Sequence, residues 1–375
     1  MNLVIVIPYF YPAYIYGGPI FASYYLSQKV VECGIKVDVI TTNVNGKNKL
    51  DVKTNVFVWV NGLKVKYYNK CLLPFFSFRM IFGLANDIKD ADIVHIQSIY
   101  SLSSIFALFH SFLQKKVVFL SPRGSLSKWS FNNRCMMKKL WIKLFIKPFK
   151  NHIYWHATSQ KEKDEIKFFF PNANIKIVSD GISFEDCKIK NHCDVKWQNS
   201  LYIACLGRLH KVKGYDIMLK AMPDILKTHS KIKLFIAGMD YGELENLKKL
   251  SYNLNIQDSV EFVGQLDLEN KNCFLKYAQC LVMPSHTENF GIVAAEALFH
   301  NTPVIASKNT PWQVLNDKNA GFHINNTPES IADSVIKLLK DIDLYKKNTS
   351  MVVEEFSFSK IALDYKSTLL KISQT

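Results

Sequence analysis

Residues 281–305, LVMPSHTENFGIVAAEALFHNTPVI, decide the fold of this 375-residue chain. Leu281-Val282-Met283 reads as the end of a buried strand and breaks at Pro284-Ser285. A polar loop leads to Glu288-Asn289-Phe290-Gly291, after which Ile292, Ala295, Glu296, Leu298 and Phe299 recur at helical steps. Asn301-Thr302-Pro303 ends the helix and Val304-Ile305-Ala306 starts another strand. Strand, loop, helix, strand is the unit of a parallel α/β sheet. Glu288 and Glu296 need not share a helix face. Both can point into one crevice at the carboxyl edge of the sheet, where such folds bind ligands.

The same grammar recurs on both sides. At the start of the chain, Leu3–Ile7 is an apolar run suited to a strand buried on both faces. Pro8-Tyr9-Phe10-Tyr11-Pro12, Gly17-Gly18-Pro19 and a helical pattern from Ile20 to Cys33 follow. Gly17 and Gly18 leave backbone N–H groups open at a helix start, able to meet a phosphate or a sugar hydroxyl. Further strands are expected at 36–41, 91–97, 117–121, 152–159 and 175–178, with His95 near the carboxyl end of one and Arg123 in the loop after another. In the second half, Leu201–Leu206 runs into Gly207-Arg208-Leu209-His210-Lys211-Val212-Lys213-Gly214 and then a helix. Two cations between a strand and a helix N-terminus suit a diphosphate, because they neutralise charge building on a leaving group. Strand-to-turn units at 233–238 and 260–266 complete the pattern.

Length predicts two domains. We place them at 1–180 and 200–355, with a linker at 181–199 and a last helix, 356–375, returning to the first domain. A hydrophobic content of 48% excludes a disordered chain. Eight scattered cysteines without a CxxC pair predict reduced thiols rather than a disulfide frame, hence a cytoplasmic setting. Leu3–Ile7 is too short and lacks the basic leader of a signal peptide. No stretch reaches the length of a membrane span; the aromatic run Tyr67–Phe82 comes nearest and is broken by Lys70, Pro74 and Arg79. The formal charge of +15 is uneven: residues 1–180 hold 24 Lys and Arg against 10 Asp and Glu, the remainder 23 against 22. Within the basic half, residues 134–150 carry Met137, Leu140, Trp141, Leu144 and Phe145 on one side of a helical wheel. Lys139, Lys143, Lys147 and Lys150 lie on the adjoining side. That pattern fits a helix lying on an anionic bilayer, on the cytoplasmic face of the inner membrane, and fits equally an ordinary domain helix. No helix-turn-helix, zinc or RNP pattern points to nucleic acid.

Taken in order, these motifs resemble those of the retaining, nucleotide-sugar-dependent glycosyltransferases of family 4. The E-x7-E segment is Glu288–Glu296, the G-R-x4-K-G element is Gly207–Gly214, and the first-loop glycines are Gly17 and Gly18. His95 matches the first member of an H-x-H element whose second position here is Gln97. Pro122-Arg123-Gly124 resembles a segment of the members that build bacterial surface polysaccharides, and Asp180 stands where many members have Asn. The resemblance implies a GT-B fold, two Rossmann-like parallel-sheet domains facing across a cleft. The second domain would bind the donor and the first the acceptor. It assigns Arg208 and Lys213 to the diphosphate, Glu296 to the ribose hydroxyls, and Glu288 with the N–H groups of Phe290 and Gly291 to the donor sugar. Main-chain atoms of Gly264, Gln265 and Leu266 would face the base. His95 would serve as a base or an orienter, and Arg123 would lie on the acceptor side. The substrate would be a UDP- or GDP-sugar, with no cofactor and no metal, and the acceptor a lipid-linked saccharide in O-antigen or capsule assembly. A synthase with a soluble acceptor and a non-catalytic polyanion-binding module are the competing readings.

Overall fold

The computed structural model describes residues 1–71, 77–132, 135–190 and 193–374. It divides into two compact units, Met1–Gly181 with Phe358–Thr375, and Ile182–Ser357. Pro74, named above, and Arg134, the first residue of the 134–150 segment, lie outside the described residues.

The first unit is built on an eight-stranded sheet. Its strands are β1 Asn2–Tyr9, β2 Lys36–Thr42, β3 Phe57–Val60, β4 Leu63–Tyr68, β5 Ile93–Gln97, β6 Val117–Ser121, β7 Ile153–Ala157 and β8 Asn174–Ile177. Their order is β8-β7-β6-β5-β1-β2-β4-β3, parallel except for β3 against β4. The order reverses between β1 and β5, the place where an open parallel sheet leaves a crevice at its carboxyl ends. β1 and β5 are buried along nearly their whole length, which explains the apolar run of β1 and the mostly apolar β5. The hairpin of β3 and β4 is missing from the reading above. Its alternation of Lys64 and Lys66 with Val65 and Tyr67 carried the signal of a half-buried strand. The helix Phe358–Ser373 belongs to this unit and buries Phe358, Ile361, Tyr365, Leu369 and Ile372 in a core shared with β1, β2 and β4.

The second unit carries six parallel strands: β9 Tyr202–Leu206, β10 Lys233–Ala237, β11 Val260–Gly264, β12 Cys280–Met283, β13 Val304–Ser307 and β14 Gly321–Ile324. Their order, β11-β10-β9-β12-β13-β14, reverses between β9 and β12. Residues 182–190 and 193–199 belong to this second unit rather than to a free linker. Trp197 packs edge-on to Phe274, Cys187 is buried, and the Asn272 amide donates to the Asp186 carbonyl (2.7 Å). The same docking overturns the expectation of unpaired thiols. It brings Cys193 and Cys273 to a Cα separation of 5.5 Å, and they form a disulfide. A pair 80 residues apart leaves no trace in local spacing. No described helix is long and apolar enough to cross a membrane.

Candidate active site

In the second unit the two motifs expected to act together grow from the two strands that flank the reversal point. The loop after β9 carries Arg208 and Lys213; the loop after β12 carries Glu288. Glycines set the approach. Gly214 has φ +65°, and a Cβ there would sit 2.1 Å from the Pro284 carbonyl oxygen, so only glycine lets the two loops touch. The His286 amide then donates to the Val212 carbonyl (2.8 Å), and the Ser307 hydroxyl to the Ser285 carbonyl (2.6 Å). With the loops clamped, the Lys213 ammonium pairs with Glu288, whose Oε1 also accepts from the Ser285 hydroxyl (3.0 Å). Lys213 and Glu288 keep 19% and 14% of their side chains exposed, enough for an incoming anion to compete. Arg208 is exposed, its guanidinium carbon 5.2 Å from the centre of the Tyr241 ring. Beneath the loop, Tyr215 is buried and its hydroxyl has no hydrogen-bond partner.

Eight residues further on, Glu296 lies inside the helix Ile292–Phe299 and is 8% exposed. Lys271, from the helix Leu268–Tyr277, holds it at 2.6 Å. Burial opposes the Lys271 charge, Glu296 outweighs it, and the ammonium's pKa ends above the ordinary lysine value. Lys271 is the site-edge residue that motif reading missed, because its surroundings (Glu269-Asn270-Lys271-Asn272) look like any exposed helix start. Gly291, at φ +80°, begins the helix. Phe290 packs against Trp312, whose indole N–H donates to the Phe290 carbonyl (2.6 Å), so the main chain of this turn is fixed by the core below. Gly264, at φ +81°, has open space where a Cβ would stand, and Gln265 beside it is exposed. The Gly264 carbonyl accepts from Gly238 (2.7 Å), and Leu266 packs on the core.

The first unit treats its candidates differently. Gly17 (φ +69°) caps the helix Gly18–Glu32, with open space beside it. His95 is fully buried. Its Nε2 meets the Ser121 hydroxyl (2.8 Å) and its Nδ1 the Tyr365 hydroxyl (2.6 Å). Ser121 in turn meets His156 Nδ1 at 2.5 Å. Burial, then the neighbouring His156 and Arg123, hold the His95 pKa well below 6.5; burial takes His156 down to about 4. Both rings are therefore neutral at neutral pH. His95 offers no nitrogen to a ligand, and the direct role expected of it gives way to a structural one, tying β5 to the helix Phe358–Ser373. Arg123 is also turned inward. It sits at φ +54° and pairs with Asp180, leaving Nε and Nη2 buried without partners. The residue that departs from the family pattern, Asp180, is the one that claims it. An outward fork toward an acceptor is not what this loop presents.

The apolar side expected in 134–150 is in large part exposed. The segment is an α-helix at Cys135–Trp141, a π-helical turn at Ile142–Ile146 and a 3-10 stretch at Lys147–His152. The wider turn changes which residues face inward. Ile142 and Ile146 are buried, while Met136, Met137, Leu140 and Leu144 are 83%, 68%, 56% and 53% exposed.

Comparison with known proteins bears on this geometry. Residues 190–351 match the family model described as glycosyl transferases group 1. An uncharacterized glycosyltransferase of Methanocaldococcus jannaschii is 29% identical over 231 residues, 55% of this chain and 57% of that protein. An O-antigen biosynthesis glycosyltransferase of Escherichia coli is 27% identical over 214 residues, 55% of this chain and 58% of its own length. The chain thus spans little more than half of either relative. The crystal structure of HepE from Anabaena in complex with UDP-glucose superposes with a TM-score of 0.74 at 14% identity, covering 99% of this chain and all of that one. On these findings the chain has the GT-B fold, and residues 190–351 are similar to the glycosyl transferases of group 1.

Proposed function

We propose that this protein transfers a glycosyl unit from a nucleotide-diphosphate sugar to a hydroxyl of a lipid-linked saccharide, with retention at the anomeric carbon, in the assembly of a surface polysaccharide. The observation that carries the reading is the Lys213–Glu288 pair held between the two loops at the reversal point of the second sheet. Lys213 and Arg208 take the diphosphate, and Glu288, released from its lysine, takes sugar hydroxyls beside the reacting carbon. Glu296, set by Lys271, takes the ribose. The anomeric C–O bond to phosphate breaks as the acceptor oxygen bonds to the same face of the sugar. The acceptor proton passes to the departing diphosphate oxygen. The two cations supply the charge stabilisation, so the reaction requires no metal. The E. coli relative named for O-antigen biosynthesis supports a polysaccharide product, and the Anabaena structure with UDP-glucose supports a UDP-type donor.

The exposed Met136, Met137, Leu140 and Leu144, set among Lys139, Lys143, Lys147 and Lys150, support a contact with an anionic membrane, where each lysine is worth about 1 kcal/mol. The test is a panel of UDP- and GDP-sugars incubated with membrane extract, with product linkage read by NMR. Transfer from one donor, lost in Lys213→Ala, is the expected result. Absence of any nucleotide-sugar binding by calorimetry overturns the reading.

A further inference from the structure

The reversal point of the first sheet lies between β1 and β5, and the segment leaving β1 there is made of aromatic rings. Tyr9 stacks on Tyr16 with centroids 4.2 Å apart, and Tyr11 stacks on Tyr24 at 4.4 Å. Tyr14 meets Tyr11 edge-on at 5.5 Å and lies over Phe21 at 5.8 Å. Phe21 continues the stack to Tyr25 at 6.3 Å. The array is anchored from below. The Tyr67 hydroxyl donates to the Tyr11 carbonyl (2.5 Å), and the Asn61 amide donates to the Tyr24 hydroxyl (2.7 Å). The Gly46 amide donates to the Tyr16 hydroxyl (2.9 Å). At the outer end of this rigid stack, Tyr14 is 54% exposed.

Charge and ring chemistry fix what would sit there. Residues 1–28 contain no Asp, Glu, Lys, Arg or His, so the loop and the helix start behind it present no side-chain charge. Nearly every ring of the array is a phenol, with a hydroxyl beside its face. Hydrogen bonding to Tyr11 pushes the Tyr14 pKa up to about 12, which keeps the phenol neutral. Gly17, three residues on, leaves open space where a Cβ would project. An electron-rich ring face attracts the polarised C–H groups on the flat side of a pyranose, while phenols exchange hydrogen bonds with its hydroxyls. A phosphate or a carboxylate would find no cation in this segment.

We infer that Tyr14, supported by Tyr11 and Phe21, is a stacking platform for an uncharged sugar ring, the terminal residue of the saccharide acceptor. The inference rests on the transfer reaction proposed above for its biological meaning, but its physical content stands apart. The test is saturation-transfer NMR on the full chain, with neutral methyl glycosides (glucoside, galactoside, N-acetylglucosaminide) and methyl glucuronide as probes. UDP binding is measured in parallel by calorimetry. The neutral glycosides are expected to receive saturation, to lose it at least about fivefold in Tyr14→Ala, and to regain it in Tyr14→Trp. The glucuronide is expected to receive little. Equal saturation in wild type and Tyr14→Ala, a preference for the glucuronide, or competition by uridine for the same signal overturns the platform. Failure of UDP to bind while glycoside saturation still depends on Tyr14 would remove the transfer reading and leave the platform standing.

Discussion

The reversal point of the second sheet and the carboxyl end of β5 in the first sheet hold comparable places in two parallel sheets, yet they handle their polar residues in opposite ways. In the second unit Lys213 and Glu288 stand on loops, partly exposed, each the other's partner. In the first unit His95 is inside the strand, fully buried, with both ring nitrogens committed to neighbours that cannot leave. Being at the right edge of a sheet is therefore insufficient. A residue that projects from the loop beyond the strand can meet a ligand; one still inside the strand is claimed by the core.

That contrast can be broken most severely at Lys213. Lys213→Ala should lower turnover at saturating donor by ~10²-fold or more, the cost of removing a preorganised charge stabiliser. Near-normal turnover would place the chemistry elsewhere. Gly214→Ala comes next. Its Cβ would meet the Pro284 carbonyl at 2.1 Å and its φ is left-handed, so the clamp must open. A strain of about 1–3 kcal/mol should appear as a lower Tm together with a loss of activity. Lys271→Met leaves Glu296 buried without its counter-charge. The expected signature is a donor KM raised by ~10-fold with kcat nearly kept, since a residue that positions a ground-state contact acts on binding. Equal losses in both would move Glu296 into the reaction itself.

The smallest effect on catalysis is expected at His95. Replacing it by Ala should leave kcat within about twofold per folded molecule, whereas a true general base would cost 10²–10⁴-fold. Stability should fall by about 1–3 kcal/mol for the Tyr365 hydroxyl, which loses its partner, while Ser121 keeps His156. The same network has a pH signature. An unfolded histidine takes its proton near pH 6.5, while His156 takes its own near 4 and His95 well below 6.5. The unfolded chain binds protons first, so these two residues withdraw stability as the pH falls below 6.5. Glu165, raised to about 7 by burial, and Glu162, also raised by burial, act with the opposite sign. The clean observable is thus ring-nitrogen NMR at pH 5.5, where His95 and His156 should be neutral. An imidazolium signal from either would contradict the burial.

What was legible in the sequence follows the same division. Both parallel sheets could be read, because β1, β9 and β12 are apolar runs and β5 is largely one, each followed by a loop. The meeting of Lys213 and Glu288 could be read because each stands on a loop after one of the two strands that flank the reversal point. Pairings that depend on tertiary folding could not. Nothing near Lys271 announces Glu296, Cys193 does not announce Cys273 across 80 residues, and Arg123 does not announce Asp180. The 134–150 segment shows the same limit in a helix. A wheel drawn at 3.6 residues per turn groups Met137, Leu140 and Leu144, which are exposed together, but does not say which way that side faces, and it misses Ile142 and Ile146, which are buried in the π-helical turn.

The central claim is that the Lys213–Glu288 pair is a placeholder for a nucleotide diphosphate. Crystals soaked with UDP and with GDP test it most directly. The account predicts diphosphate oxygens within hydrogen-bond distance of Lys213 and Arg208, with the Lys213 ammonium moved off Glu288. A bound nucleotide whose phosphates lie away from both cations, with Lys213 still on Glu288, would contradict it.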